Sequence, residues 1–271
     1  MMRTILRVTG GDRVGFLQGL VTNDVTTAPV WAALLTPQGK YLADFMIVPD
    51  GESLLIDVDA RLADDLMRRL AMYRLRSDVQ IAPAGLNVSR GTGPAPAGAI
   101  PDPRHPALGW RLYGDSAADD GTDWEAIRVA HCIPETLAEL IPNETFPLEA
   151  GFERLHGVDF RKGCYVGQEV TARMKHKTEL RKGLQRLRIE GEAPVGTPIT
   201  AEGREKLRAY GIAPIHMVGA IVGAGFARGH RIVARREPAD ADDAVTRIEQ
   251  AAARGRATGD QFHDGDDVLA L

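Results

Sequence analysis

Two cysteines, Cys132 and Cys164, are all that a chain of 271 residues carries. So few thiols exclude a disulfide framework, and the amino-terminal stretch lacks the apolar core and small-residue cleavage site of a secretory signal. The expected setting is therefore the reducing cytoplasm. No uncharged apolar run reaches the ~18 residues of a membrane-spanning helix, so no membrane partner is expected. Positive charge is not in surplus either, since 33 Lys and Arg face 37 Asp and Glu for a net charge of -4. That balance argues against bulk binding to nucleic acid, whose affinity rests on many cation–phosphate contacts. The 7 histidines are scattered, and none forms a zinc-ligand pair with a cysteine beyond the adjacent His131-Cys132, which is a poor pair. No resident metal is expected.

What remains is the patterning of a folded chain of one or two domains. Thr4 to Val8 is strand-like, and Asp12 is placed to cap a helix that lines up Phe16, Leu17 and Leu20. Trp31–Thr36, Tyr41–Val48 and Ser53–Val58 alternate with turn residues at Gln38-Gly39 and Pro49-Asp50-Gly51, which predicts an antiparallel meander. Asp59 is expected to cap a helix from Ala60 to about Arg76 with Leu62, Leu66, Leu70, Tyr73 and Leu75 at helical spacing. Val79 to Ile81 returns as a strand. The stretch from Gly91 to Gly109 is too rich in Pro and Gly for a long element, and the acidic run Asp115 to Asp123 reads as a solvated turn before a helix at Trp124–His131. Leu148, Phe152 and Leu155 have helical spacing, with Gly157 as a stop and Glu149 near the start. The order of elements predicts an α+β layer.

The segment Lys162-Gly163-Cys164-Tyr165-Val166-Gly167-Gln168-Glu169 concentrates the chemistry. A thiol reacts or binds metal as the thiolate, which neighbouring cations such as Arg161 and Lys162 favour, and the two glycines let backbone approach a ligand closely. The plainer alternative is a turn into a helix with Cys164 as a small buried hydrophobe. Glu149 has the two acceptor oxygens that pair with an amino-pyrimidine edge, or else it is only a carboxylate stabilised at a helix start. Tyr165 suits either the wall of a pocket or core packing.

Phe146-Pro147-Leu148-Glu149-Ala150-Gly151, Leu155-His156-Gly157-Val158-Asp159-Phe160, the octet and Thr171-Ala172-Arg173 together resemble the signature of the YgfZ family of folate-binding proteins. That family includes mitochondrial iron–sulfur assembly factors and lies within the fold of the glycine-cleavage T-protein, an aminomethyltransferase. Phe16-Leu17-Gln18-Gly19-Leu20-Val21-Thr22-Asn23-Asp24-Val25 and Pro37-Gln38-Gly39-Lys40 agree more loosely. The resemblance implies folate-binding lobes of antiparallel sheet with packed helices over 1–182, in two subdomains joined near 85–110. A small β-barrel-like domain is implied over 183–271. It also implies tetrahydrofolate held by Glu149, Tyr165, Lys162, Gly163, Gly167, Gln168 and Arg173, with Cys164 as the working residue. One or two cysteines cannot hold a four-iron cluster that needs Cys₄ ligation. The implied function is an accessory factor in assembly or repair of [4Fe–4S] proteins, with a transient cluster shared with a carrier or client protein.

Two alternatives remain at this point. A folate-dependent aminomethyltransferase or demethylase needs a carboxylate, for which Asp65 is the candidate, although its position on the polar side of a helix also suits a solvated face. A scaffold without a small-molecule ligand needs neither Asp65 nor Cys164. Strands are expected at Leu184–Ile189 and Thr197–Ala201, but from Arg204 the pattern departs from the family's, and the alanine-rich stretch Glu237–Arg256 reads as helix. The basic stretch from Arg161 to Arg188 reads as a solvated face or as contacts for an acidic group. The Gly223-Ala224-Gly225 run lacks the strand–helix context of a dinucleotide site.

Overall fold

The computed structural model describes residues 2–177, residue 180 and, from 182 onward, the strands. The chain divides into two units, one of residues 1–123, 140–148 and 152–178, the other of 124–139, 149–151 and 179–271. The division near 178 is thus accompanied by two earlier segments that belong with the later one.

The first unit is built on a five-stranded antiparallel sheet. Its strands are β1 (Arg3–Thr9), β2 (Val30–Leu35), β3 (Tyr41–Asp50), β4 (Ser53–Asp59) and β5 (Gln80–Pro83), in the order β2-β3-β4-β1-β5. The expected meander is β2 to β4, turned at Gly39 and Gly51, both at positive φ where glycine carries no Cβ penalty. One face of the sheet, with Leu34, Phe45, Ile56 and Val58, packs with α1 (Arg13–Gln18) and α2 (Ala63–Arg74) through Phe16, Leu17, Leu66 and Leu70. Residues at alternate positions, Trp31, Asp44 and Asp57, are buried on the other face, so every residue of β2 and β4 is buried. A three-stranded sheet of β6 (Asn87–Gly91), β7 (Ile100–Pro101) and β8 (Trp110–Gly114) occupies the Pro- and Gly-rich region.

Three local expectations are corrected. Asp59 does not cap α2, which begins four residues later; its carboxylate instead accepts from the backbone N–H and guanidinium of Arg61. Residues 147–156 form successive turns rather than a helix, with Gly151 and His156 at positive φ. Phe152 donates to the Pro147 carbonyl and Gly157 to the Phe152 carbonyl, closing wider loops than helical ones. Within the alanine-rich stretch, Thr246–Ala251 is strand β14.

The second unit contains α3 (Trp124–Ala130) and a seven-stranded sheet where the resemblance implies a barrel. Its strands are β9 (Lys182–Arg188), β10 (Pro198–Ala201), β11 (Arg204–Ala213), β12 (Met217–Gly223), β13 (Arg231–Arg235), β14 and β15 (Leu269–Ala270), in the order β13-β14-β10-β11-β12-β9-β15. The β-structure therefore continues past Arg204, contrary to the expected departure. The rest of 237–256 and residues 224–225 of the glycine run lie outside the described residues, as do the side chains of the basic stretch beyond Lys177. In α3, Arg128 pairs with Glu125, Glu135 and the fully buried Glu139.

Candidate functional site

Lys162 decides the geometry of the thiol loop. Its side chain is buried, and Nζ donates to the carbonyls of Gln18 at 2.8 Å, Val21 at 2.5 Å and Asn23 at 2.9 Å. These carbonyls belong to the last residue of α1 and the turn after it, groups that a helix end leaves without partners. Three N–H bonds meet three acceptors, so the ammonium is fully engaged. Burial lowers its pKa to about 8, an effect offset in part by Asp24 and Asp159. As a contact for folate Lys162 does not fit, and its charge is spent on carbonyls rather than directed at Cys164. This corrects the expectation drawn from sequence adjacency.

The same two stretches interlock at further points. The Thr22 hydroxyl donates to the Gly157 carbonyl at 2.7 Å, and Asn23 Nδ2 donates to the carbonyls of His156 and Trp31 at 2.6 and 2.7 Å. The backbone N–H of Asp159 donates to the Thr22 carbonyl. A Cβ on Gly157 would sit 2.6 Å from Phe152 and 2.7 Å from Trp31, whose rings lie 4.0 Å apart, so only glycine fits beneath that pair.

On the other side of the cysteine, Gly167 has φ +84° and a Cβ there would lie 2.5 Å from the Thr36 carbonyl oxygen. Its neighbour across the contact is Gly39, at φ +75°, whose own Cβ would meet Val170 at 2.8 Å. The β2–β3 turn and the start of α4 (Gln168–Lys177) therefore touch through two glycines. Gly167 is a packing position, which does not fit its expected role in approaching folate. Tyr165 is buried, with the Lys162 ammonium 5.1 Å from its ring centre, and burial raises its phenol pKa. It too is enclosed as core rather than placed as an open pocket wall.

Between these fixed points Gly163 and Cys164 are exposed, and nothing lies within 4 Å of a Cβ built on Gly163. The thiol is not the buried hydrophobe of the plainer alternative. Gln168 is half-buried at the first position of α4 and Arg173 is exposed further along it. Also on α4, Lys175 pairs with Glu153 and lies over the Phe160 ring. Glu149 is half-buried in the second unit, where its carbonyl accepts from Leu184 of β9. Because residues 147–156 are turns, no helix dipole explains this carboxylate. For tetrahydrofolate, then, Lys162, Tyr165 and Gly167 do not fit, while Gly163 and Arg173 are exposed and Glu149 and Gln168 are half-buried.

Asp65 lies on the outer face of α2 and is paired with Arg68 at 3.0 Å and Arg69 at 2.6 Å, as a solvated face requires. A buried ionic chain escaped sequence reasoning. Asp57 accepts from Arg3 at 2.6 Å, Arg111 at 2.8 Å and Tyr113 at 2.9 Å, and Arg111 continues to Asp102, which Arg104 grips with two bonds. Burial alone would raise the Asp57 and Asp102 carboxyls, but the guanidinium groups outweigh it and hold both below the usual carboxylate range. Only the alternation of buried positions on β4 hinted at Asp57. Among the described residues, no group of three or more His, Cys, Asp and Glu gathers in a metal-holding arrangement.

The sheet and its turns define the class of fold. The fold is that of the aminomethyltransferase T-protein: the enzyme of the glycine cleavage system from Bartonella henselae superposes with a TM-score of 0.62 over 83% of this chain and 77% of its own, at 12% identity. No family model matches. Among sequences, the iron–sulfur cluster assembly factor IBA57 of Homo sapiens is 31% identical over 250 residues, covering 74% of this chain and 70% of its own length. The Neurospora crassa homologue is 34% identical over 251 residues. The chain belongs to the family of IBA57 iron–sulfur cluster assembly factors. It spans 56% of the length of the Neurospora protein and 54% of the one from Mycosarcoma maydis. The expectation of a cytoplasmic protein is overturned by these relatives, which are mitochondrial. Few cysteines suit any reducing compartment, and composition does not separate the cytoplasm from the inside of a mitochondrion.

Proposed function

We propose that this protein is an accessory factor in the assembly or repair of [4Fe–4S] proteins and that Cys164 is its working thiol. The observation that supports it is an exposed cysteine whose loop is pinned on one side by Lys162 and on the other by Gly167. Such a mount presents the sulfur without the entropic cost of ordering a floppy loop. As the thiolate, Cys164 supplies one ligand to a cluster in transit, and a carrier or client protein supplies the others. The cluster is cargo in this reading. The test is to express wild type and Cys164→Ser in cells lacking the protein. Wild type should restore [4Fe–4S] enzyme activity and Cys164→Ser should leave it at the deletion level, with an unchanged melting temperature because the thiol is exposed. Full restoration by the serine variant would sink the role of the thiol.

Tetrahydrofolate is the proposed small-molecule ligand, on the strength of the T-protein fold, with Glu149 as the carboxylate that accepts from the pterin edge. Titration calorimetry under anaerobic reducing conditions should give binding to wild type that Glu149→Ala weakens at least tenfold. A folded wild type that binds none removes the ligand. Aminomethyl transfer is the weaker reading, since Asp65 is held by two arginines on the outer face of α2.

A further inference from the structure

Charge is segregated along the chain. Residues 159–177 hold five Lys and Arg against two Asp and Glu, in a sequence whose net charge is -4. Two of the five cations are engaged, Lys162 among buried carbonyls and Lys175 with Glu153. The other three, Arg161, Arg173 and Lys177, are exposed, and none makes an ion pair or a side-chain hydrogen bond among the described residues.

The backbone that carries them is nevertheless fixed. Arg161 stands between Phe160 and the buried Lys162, and its own N–H donates to Asp159 at 2.6 Å. The Phe160 ring lies 5.5 Å from the Lys175 ammonium and edge-on to the His176 ring at 6.3 Å, so the last turn of α4 clasps the loop before the thiol. Arg161 and the outward face of α4 thus belong to one surface. On that face Glu169, Arg173 and Lys177 follow one another at intervals of four residues, with His176 beside them, and all four are exposed. Glu169 is placed for a pair with Arg173, yet none forms, and Arg173 and Lys177 are like charges one turn apart, a spacing that disfavours a helix. The helix dipole accounts for a cation in the last turn, and so for Lys177, but not for Arg161 before the helix or Arg173 inside it.

We propose that this surface, Arg161 with the outward face of α4, docks a carboxylate-rich segment of the partner protein that exchanges the cluster, an inference that rests on the accessory-factor reading above. Carboxylates of the segment meet Arg161, Arg173 and Lys177, and one cation of it meets Glu169, which fixes the direction in which the segment lies. Nucleic acid is the poorer occupant, because three cations are few for a phosphate backbone, Glu169 opposes it and the whole chain is anionic. A membrane is poorer as well, since no large apolar side chain of 159–177 is exposed for insertion. Cys164 lies three residues along the chain from Arg161, so a partner seated here is held at the thiol loop.

The test has two arms, both on the full chain. In cells lacking the protein, Arg161→Glu/Arg173→Glu/Lys177→Glu should restore at most a fifth of the [4Fe–4S] enzyme activity that wild type restores. Its melting temperature should be unchanged, because all three side chains are exposed, and Arg161→Lys/Arg173→Lys/Lys177→Arg should restore activity as wild type does. In solution, a fluorescein-labelled 12-residue peptide of alternating Glu and Ser should bind wild type by fluorescence anisotropy, more weakly as salt rises. The triple Glu variant should bind it at least tenfold more weakly, and Cys164→Ser as wild type does. A thiol without a role therefore leaves this surface standing, and a surface without a role leaves the thiol standing. The proposal is overturned if the triple Glu variant restores full activity or binds the peptide as wild type does. It is overturned too if a 12-nucleotide oligothymidylate binds wild type more tightly than the peptide and is lost in that variant, which makes the face a nucleic-acid surface. The same result with phosphatidylglycerol vesicles overturns it in favour of a membrane.

Discussion

Lys162 sits two residues before the exposed thiol, yet its work lies in the opposite direction, under the end of α1. Replacing it with Met removes the donor that three buried carbonyls share. At about 1–3 kcal/mol for each buried group left without a partner, tempered by water entry, the loss is about 3 kcal/mol or more. A chain of this size should then melt roughly 6–12 °C lower by calorimetry. On the proposed role of Cys164, Lys162→Met is expected to lose assembly activity through the mount of the thiol, and Cys164→Ser to lose it with the fold intact. Measuring melting temperature beside enzyme activity in cells separates the two causes. Lys162 was legible as an important position, but its orientation was not, because its acceptors lie 139–144 residues away in sequence.

At the scale of elements, the β2–β3 turn and the head of α4 act as one piece because Gly39 and Gly167 meet. Gly167→Ala places a methyl group 2.5 Å from the Thr36 carbonyl at a φ of +84°, so the turn has to move. Overpacking with backbone strain should cost about 2 kcal/mol, read as a lower midpoint in urea with an unchanged slope. Gly163→Ala, which meets nothing within 4 Å, should be nearly neutral by the same measurement. The sequence marked Gly163 and Gly167 alike, as glycines that let backbone approach a ligand. The meander, α2 and α3 were readable from period and turn residues, since each expresses a local rule. Residues 147–156 were not, because Leu148, Phe152 and Leu155 mimic helical spacing while Gly151 and His156 turn the backbone left-handed. The stretch at 246–251 was misread for a related reason: alanine favours a helix locally, but pairing with β10 and β13 makes it a strand.

For the molecule as a whole, the buried chain from Arg3 through Asp57 and Arg111 to Asp102 and Arg104 ties stability to pH. Both carboxyls titrate below their unfolded value, near 3.9. Between the folded and unfolded pKa the unfolded chain binds more protons, so the stabilisation is complete above about pH 5 and is lost as pH falls through the folded values. Melting temperatures should decline from pH 5 to pH 3, and Asp102→Asn should lower the plateau and flatten that decline. An equal slope in the variant would assign the acid sensitivity elsewhere.

What the sequence determined by itself is the set of local and chemical identities: an antiparallel meander, an amphipathic α2, a thiol between glycines and a signature shared with a T-protein-like group. Those follow from side-chain period, turn chemistry and residue type, which act over a few positions. Only the tertiary structure decided that Lys162 faces inward, that Tyr165 and Gly167 are packing residues and that Asp57 anchors a buried ionic chain. Each of these depends on which carbonyls, glycines or guanidinium groups the fold brings opposite, a matter of contacts between distant residues that no local rule encodes.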